Sequence, residues 1–135
     1  MIIWDEQFET GSKTIDDQHK MLIFHINKLE DMLGHTAPTP QQIRFAISLV
    51  DFLEQYAKTH FGFEEQCMEC HRCSAHVENQ RQHATFIEFF NGFHAEFKKH
   101  GYSLEAFKNL HRMTSAWITS HILRTDTQLK AFIKV

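Results

Sequence analysis

The sequence predicts an all-α protein, an antiparallel up-down-up-down four-helix bundle preceded by an N-terminal arm. Three observations carry this expectation. Only five Gly and two Pro occur in 135 residues, and β-branched runs are scarce, which argues against a sheet built from many short strands. The thirteen Phe recur at helical intervals rather than in strict alternation. Finally, apolar residues repeat in steps of three and four over four long stretches joined by short loops, and short loops make sequential helices antiparallel neighbours.

Residues 1–11 carry Trp4 and Phe8 without helical periodicity and end at Gly11, so they read as an arm packed on the bundle. The first helix, about 14–33, has Ile15, His19, Leu22, Ile26, Leu29 and Leu33 on one stripe. Thr14 with Asp17 is expected to cap its start and Gly34 to provide a left-handed cap at its end. Thr39-Pro40-Gln41-Gln42 places an N-cap residue, a proline at the first helical position and a glutamine at the third, which is the firmest boundary in the chain. The second helix, about 40–67, carries Ala46, Leu49, Leu53, Ala57, His60, Glu64 and Cys67 on its stripe. The third begins near Ser74 or Ala75 and runs over about 75–100, with His76, Asn79, His83, Phe86, Phe90, Phe93 and Phe97 in register, closing at Lys98-Lys99-His100-Gly101 as a helix C-terminus favours. Ser103 caps the fourth, about 104–121, on which Leu104, Phe107, His111, Thr114, Ile118 and His121 align. Leu129, Phe132 and Ile133 suggest a last helical segment over about 127–134. With no internal repeat, low-complexity stretch or long linker, residues 1–135 are expected to form a single domain.

A formal charge of −3 without a basic cluster gives no electrostatic footprint for nucleic acid. No apolar run is long enough to span a bilayer. The start, Met1-Ile2-Ile3-Trp4-Asp5-Glu6, lacks the basic region and apolar core of a signal peptide, so the expected location is cytoplasmic.

The eleven histidines are the compositional outlier, and their positions separate them. His60 and Glu64 lie four apart on the stripe that should be buried, where an ionised carboxylate needs a strong partner. His19, His83 and His121 fall on the buried stripes of the other three helices, and Asp126 follows His121 by just over a turn. Four imidazoles and two carboxylates converging inside one bundle point to a buried metal site. They exceed what one tetrahedral zinc takes, and carboxylates bridge, so a dinuclear centre is indicated.

The pattern resembles the hemerythrin family, specifically its bacterial hemerythrin-like domains. The resemblance rests on Trp4, Phe8 and Gly11 in the arm, Ile15-Asp16-x-Gln18-His19, His60-Phe61-x-x-Glu64-Glu65, His83-x-x-Phe86 and His121-Ile122-x-x-x-Asp126, in order over essentially the whole chain. It implies a non-haem di-iron centre: two iron ions held by His19, His60, Glu64, His83, His121 and Asp126, with Glu64, Asp126 and an oxygen-derived atom bridging. It also implies O2 binding at an open position on the iron held by His19 and His60. The chain departs from the family at one point. Where members carry His-x-x-x-His ending at the residue matched by His83, this chain has Asn79-Gln80-Arg81-Gln82-His83. The position is left to the Asn79 amide, to water or an added anion, or to His76 two turns away, and an open position there would expose both irons to small ligands.

Cys67-Met68-Glu69-Cys70-His71 matches the short pattern for covalent haem attachment, and Cys73 and His76 extend the stretch toward a zinc site. Steps of three along a continuous helix wrap poorly around one ion, so free thiols are expected, with a redox-active pair as the alternative. Phe24, Phe86, Phe90, Phe93 and Phe97 read as core rather than a gas route, and Trp4 and Trp117 as packing. His25, His35, His94, His100 and His111 read as surface or capping residues, and Glu65, about 100° around the helix from Glu64, is placed outside the ligand set.

The function expected from this reading is a di-iron O2-binding and redox-sensing domain, the sensory module of a larger signalling protein with an output domain. The alternatives are an O2 carrier or store, and a di-iron reductase of peroxide or nitric oxide. O2, azide, NO and peroxide are the expected small partners. A ferritin-like oxidase is disfavoured because the chain has no Glu-x-x-His pair.

Overall fold

The computed structural model describes residues 1–34 and 37–133. His35 and Thr36 of the first inter-helix loop, and the end of the expected C-terminal segment at Lys134, lie outside the described residues. Four helices form the bundle: α1 (Lys13–Met32), α2 (Pro40–Cys70), α3 (His76–His100) and α4 (Leu104–Arg124). No strand occurs among the described residues, and the all-α class read from the periodicity holds. Helix α1 packs on α2 and α4, and α3 closes the bundle between α2 and α4. No helix among them is long and apolar enough to cross a membrane.

The capping box at Thr39 forms as its sequence dictates. The Thr39 hydroxyl accepts from Gln42 N at 3.2 Å while the Gln42 side chain accepts from Thr39 N at 2.8 Å. Ser103 likewise accepts from Ala106 N. Two expectations at α1 are corrected. Its N-cap is Ser12, whose hydroxyl accepts from Ile15 N at 3.2 Å, because the helix starts before Thr14 and Asp17 instead pairs with Lys13 at 2.7 Å. Its C-terminus closes on Leu33 in right-handed geometry, with Gly34 N donating to Asp31 O. Positive φ among the glycines occurs at Gly11 and Gly101 and not at Gly34.

Helix α2 ends in a six-to-one clasp in which Cys73 N donates to Met68 O at 2.9 Å and Arg72 N to Glu69 O at 3.1 Å. Arg72 takes the left-handed position of that clasp, at φ 54°, where glycine is usual. Helix α3 then starts at His76 without any side-chain cap. Beyond α4 the chain forms a 3₁₀ segment over Asp126–Ala131 rather than a further α-helix.

The arm is tied to the bundle by polar bonds and aromatic packing. Ile2 N donates to the Asn27 amide oxygen at 2.9 Å, and the Asn27 amide donates back to Ile2 O at 2.8 Å. Trp4 stacks on buried Phe8, with Lys20 over its ring. Asp16 accepts from both the backbone and the hydroxyl of buried Thr10, at 2.9 and 2.8 Å. Gly11 has φ 89°, and a Cβ there would lie 3.5 Å from the Lys130 backbone, so glycine serves both the turn and the close approach to the 3₁₀ segment.

The apolar core divides in two. A large cluster built on Leu22, Ile26, Leu53, Phe61, Phe86, Phe90, Phe107 and Ile118 fills most of the bundle. A smaller one of Ile15, Met68, Cys73, Ala75 and Leu129 seals the end where α2 turns into α3. Polar side chains lie buried in the same bundle, among them His19, His60, Glu64, Asn79, His83, His121 and Asp126.

Candidate metal centre

All six residues singled out from the sequence meet in the bundle interior. They form two groups, His19–His60–Glu64–Asp126 and Glu64–His83–His121–Asp126, and within each group the potential ligand atoms lie within 4.8 Å of one another. The groups share both carboxylates. Helix α1 delivers His19, α2 delivers His60 and Glu64 from one face, α3 delivers His83, and α4 with its 3₁₀ extension delivers His121 and Asp126. Every member is buried, with Glu64 and His19 at 0 % exposure.

The Nε2 atoms converge on the carboxylate oxygens. His19 Nε2 lies 3.0 Å from Glu64 Oε2 and 3.1 Å from Asp126 Oδ2. His60 Nε2 is 3.1 Å from Glu64 Oε2, His83 Nε2 is 3.1 Å from Glu64 Oε1, and His121 Nε2 is 3.0 Å from Asp126 Oδ1. His83 and His121 also face each other Nε2 to Nε2 at 3.0 Å. Despite these short approaches, Glu64 Oε1 and both Asp126 oxygens have no properly directed hydrogen bond.

The outward ring nitrogens of three of these histidines are bonded elsewhere. His60 Nδ1 donates to Gln18 Oε1 at 2.6 Å, His83 Nδ1 to Glu65 Oε2 at 2.9 Å, and His121 Nδ1 to Gln82 Oε1 at 2.5 Å. Gln82 cannot be turned the other way. Its Nε2 donates to Glu78 Oε1 at 2.8 Å and its Oε1 also accepts from the Thr125 hydroxyl at 3.0 Å. In the neutral imidazole, a proton fixed at Nδ1 leaves a lone pair on Nε2. Three such lone pairs therefore face carboxylate oxygens across roughly 3 Å, an arrangement that is repulsive unless cations sit between them.

Protons stand in for those cations in the titration of the site. Burial pushes the His19 imidazolium down, but the Asp126 and Glu64 carboxylates beside it outweigh burial and hold the group up at about 10. His121 follows the same balance and rises to about 9. Burial dominates at His60, which is lowered. For Glu64 burial acts upward, yet the four surrounding imidazoles, His121 foremost, hold the carboxyl well below its ordinary range. The donor set of imidazole nitrogens and bridging-capable carboxylates thus fits two adjacent cations.

Asn79 lies one helical turn before His83, fully buried, with both its amide nitrogen and its amide oxygen unpartnered. His76 belongs to neither group, although its Nε2 is buried and unpartnered. The cysteines form no metal group among the described residues. Aromatic rings wall the site. Phe61 stacks on His83 with centroids 3.9 Å apart, and Trp117 stacks on His121 at 4.4 Å.

Sequence reasoning missed Gln18 and Gln82 as imidazole partners and placed Glu65 only negatively, outside the ligand set. Each adjoins a predicted ligand in the chain but lies off the apolar stripe, so periodicity gave no signal for any of them. It also missed Glu54, buried on α2, which accepts from His94 at 3.0 Å. His94 is thus a partner across two helices rather than a free surface residue.

The chain is similar over most of its length to proteins of one family. Residues 10–133 match the family model described as the hemerythrin HHE cation binding domain. A bacteriohemerythrin of Stenotrophomonas maltophilia is 30% identical over 97% of this chain and 80% of its own length. A bacteriohemerythrin of Clostridium acetobutylicum is 25% identical over 95% of this chain and 98% of its own. A myohemerythrin of Theromyzon tessulatum is 27% identical over 94% of this chain and 89% of its own. With the family model covering nearly all of its length, the chain belongs to the hemerythrin HHE cation-binding domain family.

Proposed function

We propose that the chain is a non-haem di-iron domain that binds O2 and senses redox state in the cytoplasm. The observation that carries this reading is the pair of four-donor groups sharing Glu64 and Asp126. The kinship to bacteriohemerythrins and a myohemerythrin supports it. His19 and His60 would hold one iron, His83 and His121 the other, with Glu64 and Asp126 common to both. Two irons, when bound, supply the O2 binding and electron transfer that these side chains lack. Gln18, Glu65 and Gln82 orient the imidazoles, and Phe61 and Trp117 hold the His83 and His121 rings by stacking on them.

With Asn79 in place of a further imidazole, the two positions have matching donor sets, two imidazoles and the shared carboxylates each. The His83–His121 side has two imidazoles and a neutral amide that is a poor ligand, so we assign that side a position open to water or a small anion. Such access suits a sensor, whose state must change, better than a store, which must hold O2 unreacted. The route out of the site runs through Asp126. It opens the 3₁₀ segment whose Lys130 packs against Gly11 of the arm, so a shift at the carboxylate would reach the arm and any output element attached to the chain.

The test is optical spectroscopy of iron-loaded protein, reduced without air and then exposed to O2, with iron counted per chain. Two irons and rapid oxidation without a lasting oxygenated band support the sensor; a long-lived oxygenated band supports a carrier. Asn79→His is expected to reduce the number of azides bound per iron pair and to slow oxidation. Unchanged azide stoichiometry and rate would reject the open position.

A further inference from the structure

The turn from α2 to α3 holds chemistry that the metal site does not use. Cys67, Cys70 and Cys73 are all free thiols. Cys70 is exposed as the last residue of α2, Cys67 is half-buried one turn earlier, and Cys73 is buried within the clasp. Cys73 packs with Met68 in the smaller apolar cluster, as the hydrophobic contact of a six-to-one clasp requires, and is thereby withdrawn from solvent.

Residues three apart in a helix have Cβ atoms about 5–6 Å apart, whereas a disulfide needs about 3.8 Å. In mid-helix that gap forbids the bond. Here the pair occupies the final turn, where Cys70 has only the clasp behind it and the chain can tighten. We propose that Cys67 and Cys70 form a peroxide-responsive dithiol that closes to a disulfide at the end of α2.

The roles follow from exposure. Cys70 is the sulfur that solvent reaches, so its thiolate attacks hydrogen peroxide, forming the S–O bond of a sulfenic acid and releasing hydroxide. Cys67 is held protonated, because burial, then the neighbouring Cys70, Glu64 and Cys73, push its thiol up. It therefore does not compete for peroxide and reacts second: the hydroxide just released takes its proton as water, its thiolate forms the S–S bond to Cys70, and the sulfenic oxygen leaves as hydroxide that is protonated to the second water. Two thiols lose two electrons, and one peroxide becomes two waters. The C-terminal end of a helix does not favour a thiolate, so the pair responds to sustained peroxide and is no peroxidase. Strain in the closed turn makes the bond readily reducible. Cys67 also lies one turn after Glu64 on α2 and within its electrostatic reach, so closure pulls on the helix turn that carries the shared carboxylate.

Release of peroxide when the irons react with O2 is an extension of the functional reading above; the thiol chemistry rests on neither. The test treats the full chain, loaded with redox-inert zinc and kept free of air, with hydrogen peroxide, followed by alkylation and peptide mass mapping. Two of the three thiols should resist alkylation, in a peptide linking Cys67 to Cys70. Cys73→Ser should keep that link, and Cys67→Ser should leave Cys70 as a sulfenic acid trapped by dimedone. Three alkylated thiols, a link to Cys73, or a link persisting in Cys70→Ser overturns the proposal. A disulfide with zinc and added peroxide, but none when reduced iron-loaded protein meets O2, counts against the iron as the peroxide source and leaves the dithiol standing.

Discussion

The inward-facing nitrogens of this site are set by groups that never touch its centre. Gln82 holds His121 through Nδ1 while its own orientation is fixed by Glu78 and Thr125, and Gln18 holds His60 in the same way. Partners of this kind are worth about 10- to 100-fold in metal affinity. Gln82→Leu should therefore weaken metal binding at the His83–His121 position by about that factor and spare the other, while Gln18→Leu should do the reverse. Stepwise titration with a divalent metal, read by calorimetry, would show one weakened step in each variant; an equal loss at both steps would mean that the glutamines act only through the fold. The convergence of these side chains was legible in the sequence because His60 with Glu64, and His19, His83 and His121, sit on stripes whose other members are mostly apolar. A polar residue on such a stripe must find a partner inside. Gln18, Gln82 and Glu65 were not legible in that way, since each lies one position off the stripe, where a glutamine or glutamate is ordinarily solvated. Asn79 was legible as a departure, and its buried, unpartnered amide is what gives the departure physical meaning.

Helix ends show what local chemistry alone can decide. Thr39, Pro40 and Gln42 specify a start within four residues, and the structure uses all three. Thr39→Ala removes the hydroxyl acceptor and should cost about 1 kcal/mol, lowering the thermal midpoint by roughly 4 °C. The start of α1 was misplaced because Ser12, Thr14 and Asp17 all offer capping oxygens in close succession. The arm settles the choice: Thr10 binds Asp16, and Gly11 must turn against Lys130, which puts Ser12 at the cap. The clasp at the end of α2 could not be read from the sequence, because glycine is its usual marker and Arg72 stands in that place. A left-handed conformation costs a residue with a Cβ roughly 1 kcal/mol. Arg72→Gly should therefore raise the midpoint by about as much as Thr39→Ala lowers it, and a fall instead would show that the arginine side chain makes a stabilising contact that outweighs the strain. Both substitutions are read by thermal unfolding of the metal-loaded chain, where the site is held constant.

Taken together, the bundle encloses a cluster of charge that only cations make favourable, so its stability and its metal binding must share one dependence on pH. In the metal-free chain His19 is raised to about 10 and His121 to about 9, above the ordinary value of 6.5. A group raised on folding stabilises fully below its unfolded value and loses that contribution as pH climbs through the folded one. His60 and Glu64 are lowered, so their contributions fade in the other direction, below about 6.5 and below about 4.5 respectively. The metal-free chain should thus be most stable near neutrality and weaken steadily toward pH 9. Metal binding must expel the protons held by His19 and His121, so metal affinity rises over that same range. The stabilisation given by metal, about 4 kcal/mol when the free ion stands at 1,000 times its dissociation constant, should therefore grow with pH as the unaided fold declines. The measurement is the thermal midpoint with and without ferrous iron, free of air, at pH 6.5, 7.5 and 8.5. A gap of on the order of 10 °C that widens with pH follows from the geometry. A gap that stays constant would mean that His19 and His121 are already neutral in the empty bundle, and that the neighbouring Glu64 and Asp126 carboxylates do not hold protons on them.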